Sequence, residues 1–253
     1  MQQIDERIDR VNENILLIQK KDGLTFGTDA LLLAAFMRKS QNSVALDFGA
    51  GTGIISLLCA ARDKFKKIYA VEAQSDFFDI IKRNITLNNY IEKVTAIHKD
   101  VRELSFNDLG FEADVIFTNP PYMRADSGKK NDYSFKSIAR HEILGNIDDF
   151  CISAAKNLKH GGLFYAVYRP ERMTELFYAM RAAKIEPKKL CTVHPDMYSP
   201  PSLILVEGKK GAAPEIKVTK PLIMYTDSNH REYTEDFAYI YENGCFKDHK
   251  DGK

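Results

Sequence analysis

The sequence predicts an α/β fold, a mostly parallel sheet covered by helices on both faces, and three observations carry that prediction. From about residue 43 onward, short β-rich apolar runs alternate with segments of helical period. The runs Val44–Phe48, Ile68–Glu72, Val94–His98 and Asp114–Thr118 are dominated by apolar residues, as strands buried on both faces must be. Asn88-Asn89 and Gly161-Gly162 fall where helical periods stop, and both residue types tolerate the left-handed conformation that closes a helix.

In chain order, residues 12 to 40 read as a short β segment, a turn at Lys21-Asp22-Gly23 and a helix from about Thr28, whose hydroxyl suits an amino-terminal cap. The core helices are expected at Ile54–Arg62, Asp76–Asn88, Ile147–Leu158 and Arg172–Ala183. After Leu163–Tyr168 come Lys189–His194 and Leu203–Glu207, separated by Pro200-Pro201 with no room for a long helix. These two pair as a terminal hairpin, which makes the seven-stranded sheet antiparallel at one edge. The expected organisation is an amino-terminal extension over 1–40, a core domain over 41–207 and an appendage over 208–253 with no assignable chemistry.

Composition narrows the function classes. With 253 residues, 44% hydrophobic and 28% charged, the chain reads as an ordinary globular protein able to bury a large core. A net charge of +1 argues against a protein coated in basic residues but permits a local basic patch. The longest clean apolar stretch, Ala30–Met37, is too short for a bilayer, and the charged segment Met1–Arg10 has no signal-peptide core, so a cytoplasmic location is expected. Cys59, Cys151, Cys191 and Cys245 are scattered without a C-x-x-C pair or a histidine at zinc spacing. They read as reduced, packed thiols, and no metal is expected.

Two motifs carry chemistry. Asp47-Phe48-Gly49-Ala50-Gly51-Thr52-Gly53 joins the first core strand to its helix, and glycines at alternate positions let a ligand lie against the backbone. The dinucleotide fingerprint G-x-G-x-x-G would need glycine at Ile54 or Ser56, and no Lys-Ser or Lys-Thr pair follows for a phosphate loop. What remains is a nucleoside ligand without a pyrophosphate, with Asp47 available to an ammonium or a water. Glu72 ends the second strand 19 positions after Gly53, close to the spacing at which an acid accepts ribose hydroxyls. Asp100 is placed to accept from an exocyclic amine, and Val101 to offer its N–H to a ring nitrogen. The second motif, Asn119-Pro120-Pro121-Tyr122, ends the run Val115–Thr118 in two prolines, so Asn119 and Tyr122 are held rigidly at the carboxyl edge of the sheet. An amide, carbonyls without competing donors and an aromatic face suit a planar amine substrate.

Asp47–Gly53 with Glu72 resembles the S-adenosylmethionine site of the class I methyltransferases, and Asn119–Tyr122 resembles the motif of their amino-methylating branch. Phe26–Leu33, Ala139–Glu142, Tyr168–Arg172 and Val193–Pro195 extend the resemblance to the bacterial tRNA adenine-N6 methyltransferases that act on a valine tRNA beside its anticodon. The resemblance implies a Rossmann-like class I methyltransferase fold, S-adenosylmethionine as cofactor and tRNA as partner, and it sets Thr28 and Asp29 near the cofactor and His141 in a substrate loop. Asn119 and Pro120 then accept the two protons of the amine while Tyr122 stacks on the base, with Pro121 beside it. The stretch after Tyr122 carries Arg124, Lys129, Lys130, Lys136 and Arg140 against Asp126 and Asp132, consistent with phosphate contacts, and Arg169 lies at the same sheet edge. A glutamine amide of a release factor, guanine N2 in rRNA, adenine N6 in DNA and a non-catalytic nucleic-acid module stay open beside this reading. Only about 40 residues precede the first core strand, which favours RNA over the protein amide. The oligomeric state is open, with a monomer favoured.

Overall fold

The computed structural model describes residues 5–21, 27–120 and 145–247. An antiparallel hairpin of β1 (Glu6–Asn12) and β2 (Ile15–Lys20) precedes α1 (Thr28–Phe36). The core then alternates β3 (Ser40–Phe48), α2 (Ile54–Ala61), β4 (Phe65–Glu72), α3 (Ser75–Leu87) and β5 (Val94–His98). A short α4 (Phe106–Leu109) leads to β6 (Ala113–Thr118), α5 (Ile147–Asn157) and β7 (Leu158–Tyr168). A single turn at Pro170–Arg172 opens α6 (Met173–Ala182), followed by β8 (Ile185–His194), β9 (Leu203–Lys210), β10 (Lys217–Val218), β11 (Leu222–Ile223) and α7 (Glu235–Asn243).

The large sheet runs β10-β8-β9-β7-β6-β3-β4-β5, with β11 also paired to β8. Only β9 is reversed, lying antiparallel between β7 and β8, so the expected hairpin closes that end of a mixed, mostly parallel sheet. The two-residue strands β10 and β11 add to the seven long ones by pairing parallel to β8. Strand order departs in both directions from β3, whose neighbours are β4 and β6. That divergence is the switch point at which open α/β sheets hold ligands beyond their carboxyl ends.

Alternating side chains feed two apolar layers. Phe117 and Tyr165 pack on the side of α1, α2 and α7, whereas Ile116 and Phe164 face α5 and α6. Helix starts are set locally: Asn146 accepts from the Asp149 N–H at 3.0 Å and so fixes the beginning of α5. Gly53 opens α2 at φ 81°, a backbone conformation that a side chain would strain.

The amino-terminal segment differs from its sequence expectation. β1 is a full strand because Glu6 is buried by the Arg83 fork of α3, at 2.5 and 2.7 Å, so an ion pair replaces the hydrophobic run that would have announced it. Thr28 does not cap α1. Gly27 occupies the cap position, Thr28 is the first helical residue, and the Asp29 Oδ1 accepts the Ala30 N–H at 2.9 Å. Of the turn at Lys21-Asp22-Gly23, the last two residues lie outside the described ones.

Two asparagines on α3 serve β2 as a surrogate strand. Asn88 exchanges two bonds with the Leu16 backbone and Asn84 exchanges two with Ile18, while Asn84 Nδ2 also donates to the Thr52 carbonyl at 2.9 Å. The glycine loop is thereby tied to the hairpin through one buried amide. Asn84→Ala strips three buried backbone groups of their partner and is expected to lower stability by about 2–4 kcal/mol, read as an earlier urea midpoint at unchanged slope.

Candidate active site

β3, β4 and β6 end side by side, with Phe48 in register with both Val71 and Thr118. Thr118 locks that edge by donating its hydroxyl to the Phe48 carbonyl at 3.0 Å. The loop after Phe48 then folds back, because the Gly49 and Ala50 N–H groups both donate to the Val71 carbonyl. All three glycines have positive φ, but they do different work. A Cβ on Gly49 would rest in van der Waals contact with the Phe150 ring at 3.4 Å and one on Gly53 with Ile81 at 3.4 Å, whereas one on Gly51 would meet nothing within 4 Å. Gly51 therefore faces open space, the cradle into which a ligand fits against bare backbone.

Glu72 closes one side of this cradle. Its Oε2 accepts the Gly51 N–H at 2.9 Å and its Oε1 the Gln74 N–H at 2.9 Å, and the Ala73 N–H and the Gln74 side chain also bond to the carboxylate. Burial pushes the carboxyl up from its usual range, against the pull of those backbone bonds. Asp47 lies beneath the loop and is also buried. Its Oδ2 accepts from Ser56 Oγ at 2.7 Å, while its Oδ1 has no partner among the described residues. Desolvation pushes this carboxyl up to about 7. An orphaned, buried oxygen is satisfied by a cation or water, so the residues present fit an amino-acid-bearing nucleoside such as S-adenosylmethionine. Ser56 escaped the sequence reading, although it is the one hydroxyl residue in the buried run Ile54–Ala60.

Asp100 lies just beyond β5, whose His98 is in register with Glu72. Its carboxylate accepts the Arg102 N–H at 2.8 Å and is gripped by the Arg102 guanidinium. Burial alone would raise its pKa, but the Arg102 contacts outweigh burial and hold it below the usual range. Val101 is buried and its carbonyl accepts from Ser153 Oγ, which fixes the turn against α5.

Asn119 follows β6 directly, and Pro120 is buried behind it. The Asn119 Nδ2 donates to Asp29 Oδ2 at 2.9 Å, bringing the start of α1 onto the motif. Thr28 is exposed on the same turn. Arg169, one residue past β7, donates to the Ser202 carbonyl at 3.2 Å and so touches the loop between β8 and β9. Pro121, Tyr122, Arg124, Lys129, Lys130, Lys136, Arg140 and His141 lie outside the described residues. Among the described residues there is no cluster of His, Cys, Asp and Glu fit to hold a metal, and no helix long and apolar enough to cross a membrane. A cavity of about 270 Å³ at the opposite, amino edge is lined by Arg38, Asp114 and Lys159, and these charges are already paired, Lys159 with Asp114 and Arg38 with Glu207.

Residues 34–126 match the TRM5/TYW2 methyltransferase domain. The chain is 28% identical over 227 residues to the tRNA1(Val) (adenine(37)-N6)-methyltransferase of Parabacteroides distasonis, across 90% of this chain and 93% of that protein. It is 34% identical over 119 residues to the Aliivibrio fischeri protein of the same name, across 47% of this chain and 49% of that one, about half the relative's length. Among solved structures it is similar to a protein described as a predicted O-methyltransferase from Agrobacterium tumefaciens, with TM-score 0.69 and 21% identity over 85% of this chain and 96% of that one. It is also similar to M. jannaschii TYW2 in complex with AdoMet, with TM-score 0.53 and 18% identity over 81% and 85% of the two chains. At these identities the structural likeness concerns the fold.

Two measurements probe the cradle. Because the folded Asp47 carboxyl sits near 7 and the unfolded one near 3.8, the unfolded chain binds fewer protons between those values, and the ligand-free protein loses stability as pH rises through the window. Urea unfolding at pH 5 and pH 8 is expected to show that loss in the wild type and a smaller one in Asp47→Asn. Gly51→Ala is expected to cost about 1 kcal/mol in stability, from backbone strain, yet to weaken S-adenosylmethionine binding at least about tenfold in calorimetric titration. The sheet order, the glycine loop and the relatives converge on the fold of the class I S-adenosylmethionine-dependent methyltransferases.

Proposed function

We propose that the protein methylates the exocyclic N6 of an adenine in tRNA, the substrate being a valine tRNA and the adenine the one 3′ of its anticodon. The observation that carries this reading is the placement of Asn119 and Pro120 at the switch point, on the strand next to the glycine cradle. The relatives named for tRNA1(Val) adenine-37 support the substrate. In this reading residues 41–207 form the catalytic domain, with 1–40 and 208–253 as additions to it, and the protein works as a monomer in the cytoplasm.

Glu72 takes the ribose hydroxyls of the cofactor, the orphaned Asp47 oxygen takes its ammonium directly or through water, and Asp100 and Val101 address its adenine. When bound, S-adenosylmethionine supplies a methyl group on a sulfonium, an electrophile that needs no further activation. The substrate does need it. The N6 lone pair of adenine is delocalised into the ring and is a poor nucleophile while its two protons stay in the ring plane. Asn119 Oδ1 and the Pro120 carbonyl each accept one of those protons, which favours a pyramidal nitrogen with its lone pair directed out of the ring. Alignment and electrostatics do most of the work, and the surplus proton leaves to water after the methyl arrives, so no strong base is required. Tyr122 stacks on the target base, contributing about 1–3 kcal/mol, with Pro121 beside it. A base must leave its stack to reach this edge, which favours a loop nucleotide over a paired one. Arg124, Lys129, Lys130, Lys136, Arg140 and Arg169 meet the flanking phosphates, and His141 belongs to the same substrate segment.

Incubation of the protein with labelled cofactor and total tRNA, followed by nucleoside analysis, is expected to yield N6-methyladenosine. Asn119→Ala is expected to lower transfer by at least about 100-fold at nearly unchanged cofactor affinity, and Glu72→Ala to weaken cofactor binding. Full turnover by Asn119→Ala, or label on a guanine or a protein glutamine, would contradict the assignment.

A further inference from the structure

We infer that Asp29 is a positioning residue that sets which atom of the Asn119 amide faces the substrate amine, and that Gly27 exists to leave room for its carboxylate. This rests on the proposed role of Asn119 and explains the Gly27-Thr28-Asp29 segment, to which that role assigns no chemistry.

An amide presents an acceptor on one branch and a donor on the other. Only Oδ1 receives an amine proton; Nδ2 turned toward the amine would set donor against donor. A carboxylate has acceptors alone, so the Asp29 Oδ2 at 2.9 Å compels Nδ2 to turn toward it and puts Oδ1 on the opposite branch. The two residues are 90 positions apart, one at the start of α1 and the other at the end of β6, so their meeting is a product of the fold.

The carboxylate is itself held. Its Oδ1 accepts the Ala30 N–H at 2.9 Å, which leaves Oδ2 as the oxygen directed at Asn119. Gly27 has φ −103°, a conformation open to any residue, so backbone freedom is not the reason for glycine there. A Cβ at that position would lie 2.6 Å from Asp29 Oδ1. The obstacle is the end of a side chain, so the chain tolerates the extra carbon by moving the carboxylate, and the orientation of Asn119 moves with it.

This arrangement predicts an inverted order of severity. Asp29→Ala removes the acceptor that holds Nδ2, and the incoming amine still selects the productive face of the amide. Asp29→Asn is worse, because the Ala30 N–H claims the new amide oxygen, directs the new NH2 group at Asn119 and draws Asn119 Oδ1 away from the substrate. Single-turnover methylation of tRNA is expected to fall about threefold in Asp29→Ala and at least about tenfold in Asp29→Asn, with Gly27→Ala between them. S-adenosylmethionine affinity is expected to fall by less than the transfer rate in each of the three variants, since Asp29 also lies near the proposed cofactor site, and melting temperature to be nearly unchanged in Gly27→Ala. The Asn119 side-chain NH2 resonances in 15N-labelled protein, identified by their loss in Asn119→Ala, are expected to move in Asp29→Asn and Gly27→Ala without any substrate present. Asp29→Asn milder than Asp29→Ala would overturn the inference, as would a rate loss matched by an equal loss of cofactor affinity or unmoved Asn119 resonances. A wild-type protein that makes no N6-methyladenosine would sink the proposed substrate, while the resonances still report on the Asp29 to Asn119 bond.

Discussion

The constraint on which the rest of the structure depends is the common level at which β3, β4 and β6 end. Parallel pairing places Phe48 beside Val71 and Thr118, and the chain must leave all three strands within one row. Everything with chemical character follows from that row: the glycine loop after β3, Glu72 at the end of β4 and Asn119 after β6. Because neighbouring strands lie about 4.8 Å apart, a ligand over the middle strand is within side-chain reach of both others. In the proposed reading, cofactor and amine are thereby brought together by backbone hydrogen bonding, and the side chains need only be of the right type.

That arrangement runs against stability at the positions proposed to serve ligands. Asp47 and Glu72 are carboxyls buried in apolar surroundings, and each is disfavoured in its charged form by desolvation. Their environment is supplied by the two apolar layers, with Phe48 on one side and Phe65 and Phe117 on the other. A cationic ligand would relieve Asp47 of its unpaired oxygen, so binding and folding are linked through the same atom. The hairpin participates as well, since Asn84 joins Ile18 to the Thr52 carbonyl and so transmits the position of the amino-terminal segment to the cofactor loop.

Much of this was legible in the sequence where a local pattern carried it. The strand Val94–His98 has the predicted limits, and the long helices begin and end within a residue of expectation because their apolar period and end residues are local signals. β1 was illegible because Glu6 is buried through a charge 77 positions away, and β10 and β11 because two-residue strands join by backbone bonding alone. In the proposed site, the positions of the glycines and Glu72 at the strand ends follow from spacing, whereas Ser56 on Asp47 and Asp29 on Asn119 depend on side chains meeting in space. Thr28 shows the opposite failure, a good capping residue displaced by one position because Gly27 takes the cap.

The most direct measurement is a crystal structure of the protein with S-adenosylhomocysteine and an adenosine-containing anticodon stem-loop. The expected result is the cofactor ribose diol on the Glu72 carboxylate, its amino group directed at Asp47, and the substrate N6 between Asn119 Oδ1 and the Pro120 carbonyl. A cofactor bound away from the Gly51 cradle, or an N6 facing the Asn119 amide nitrogen, would contradict it.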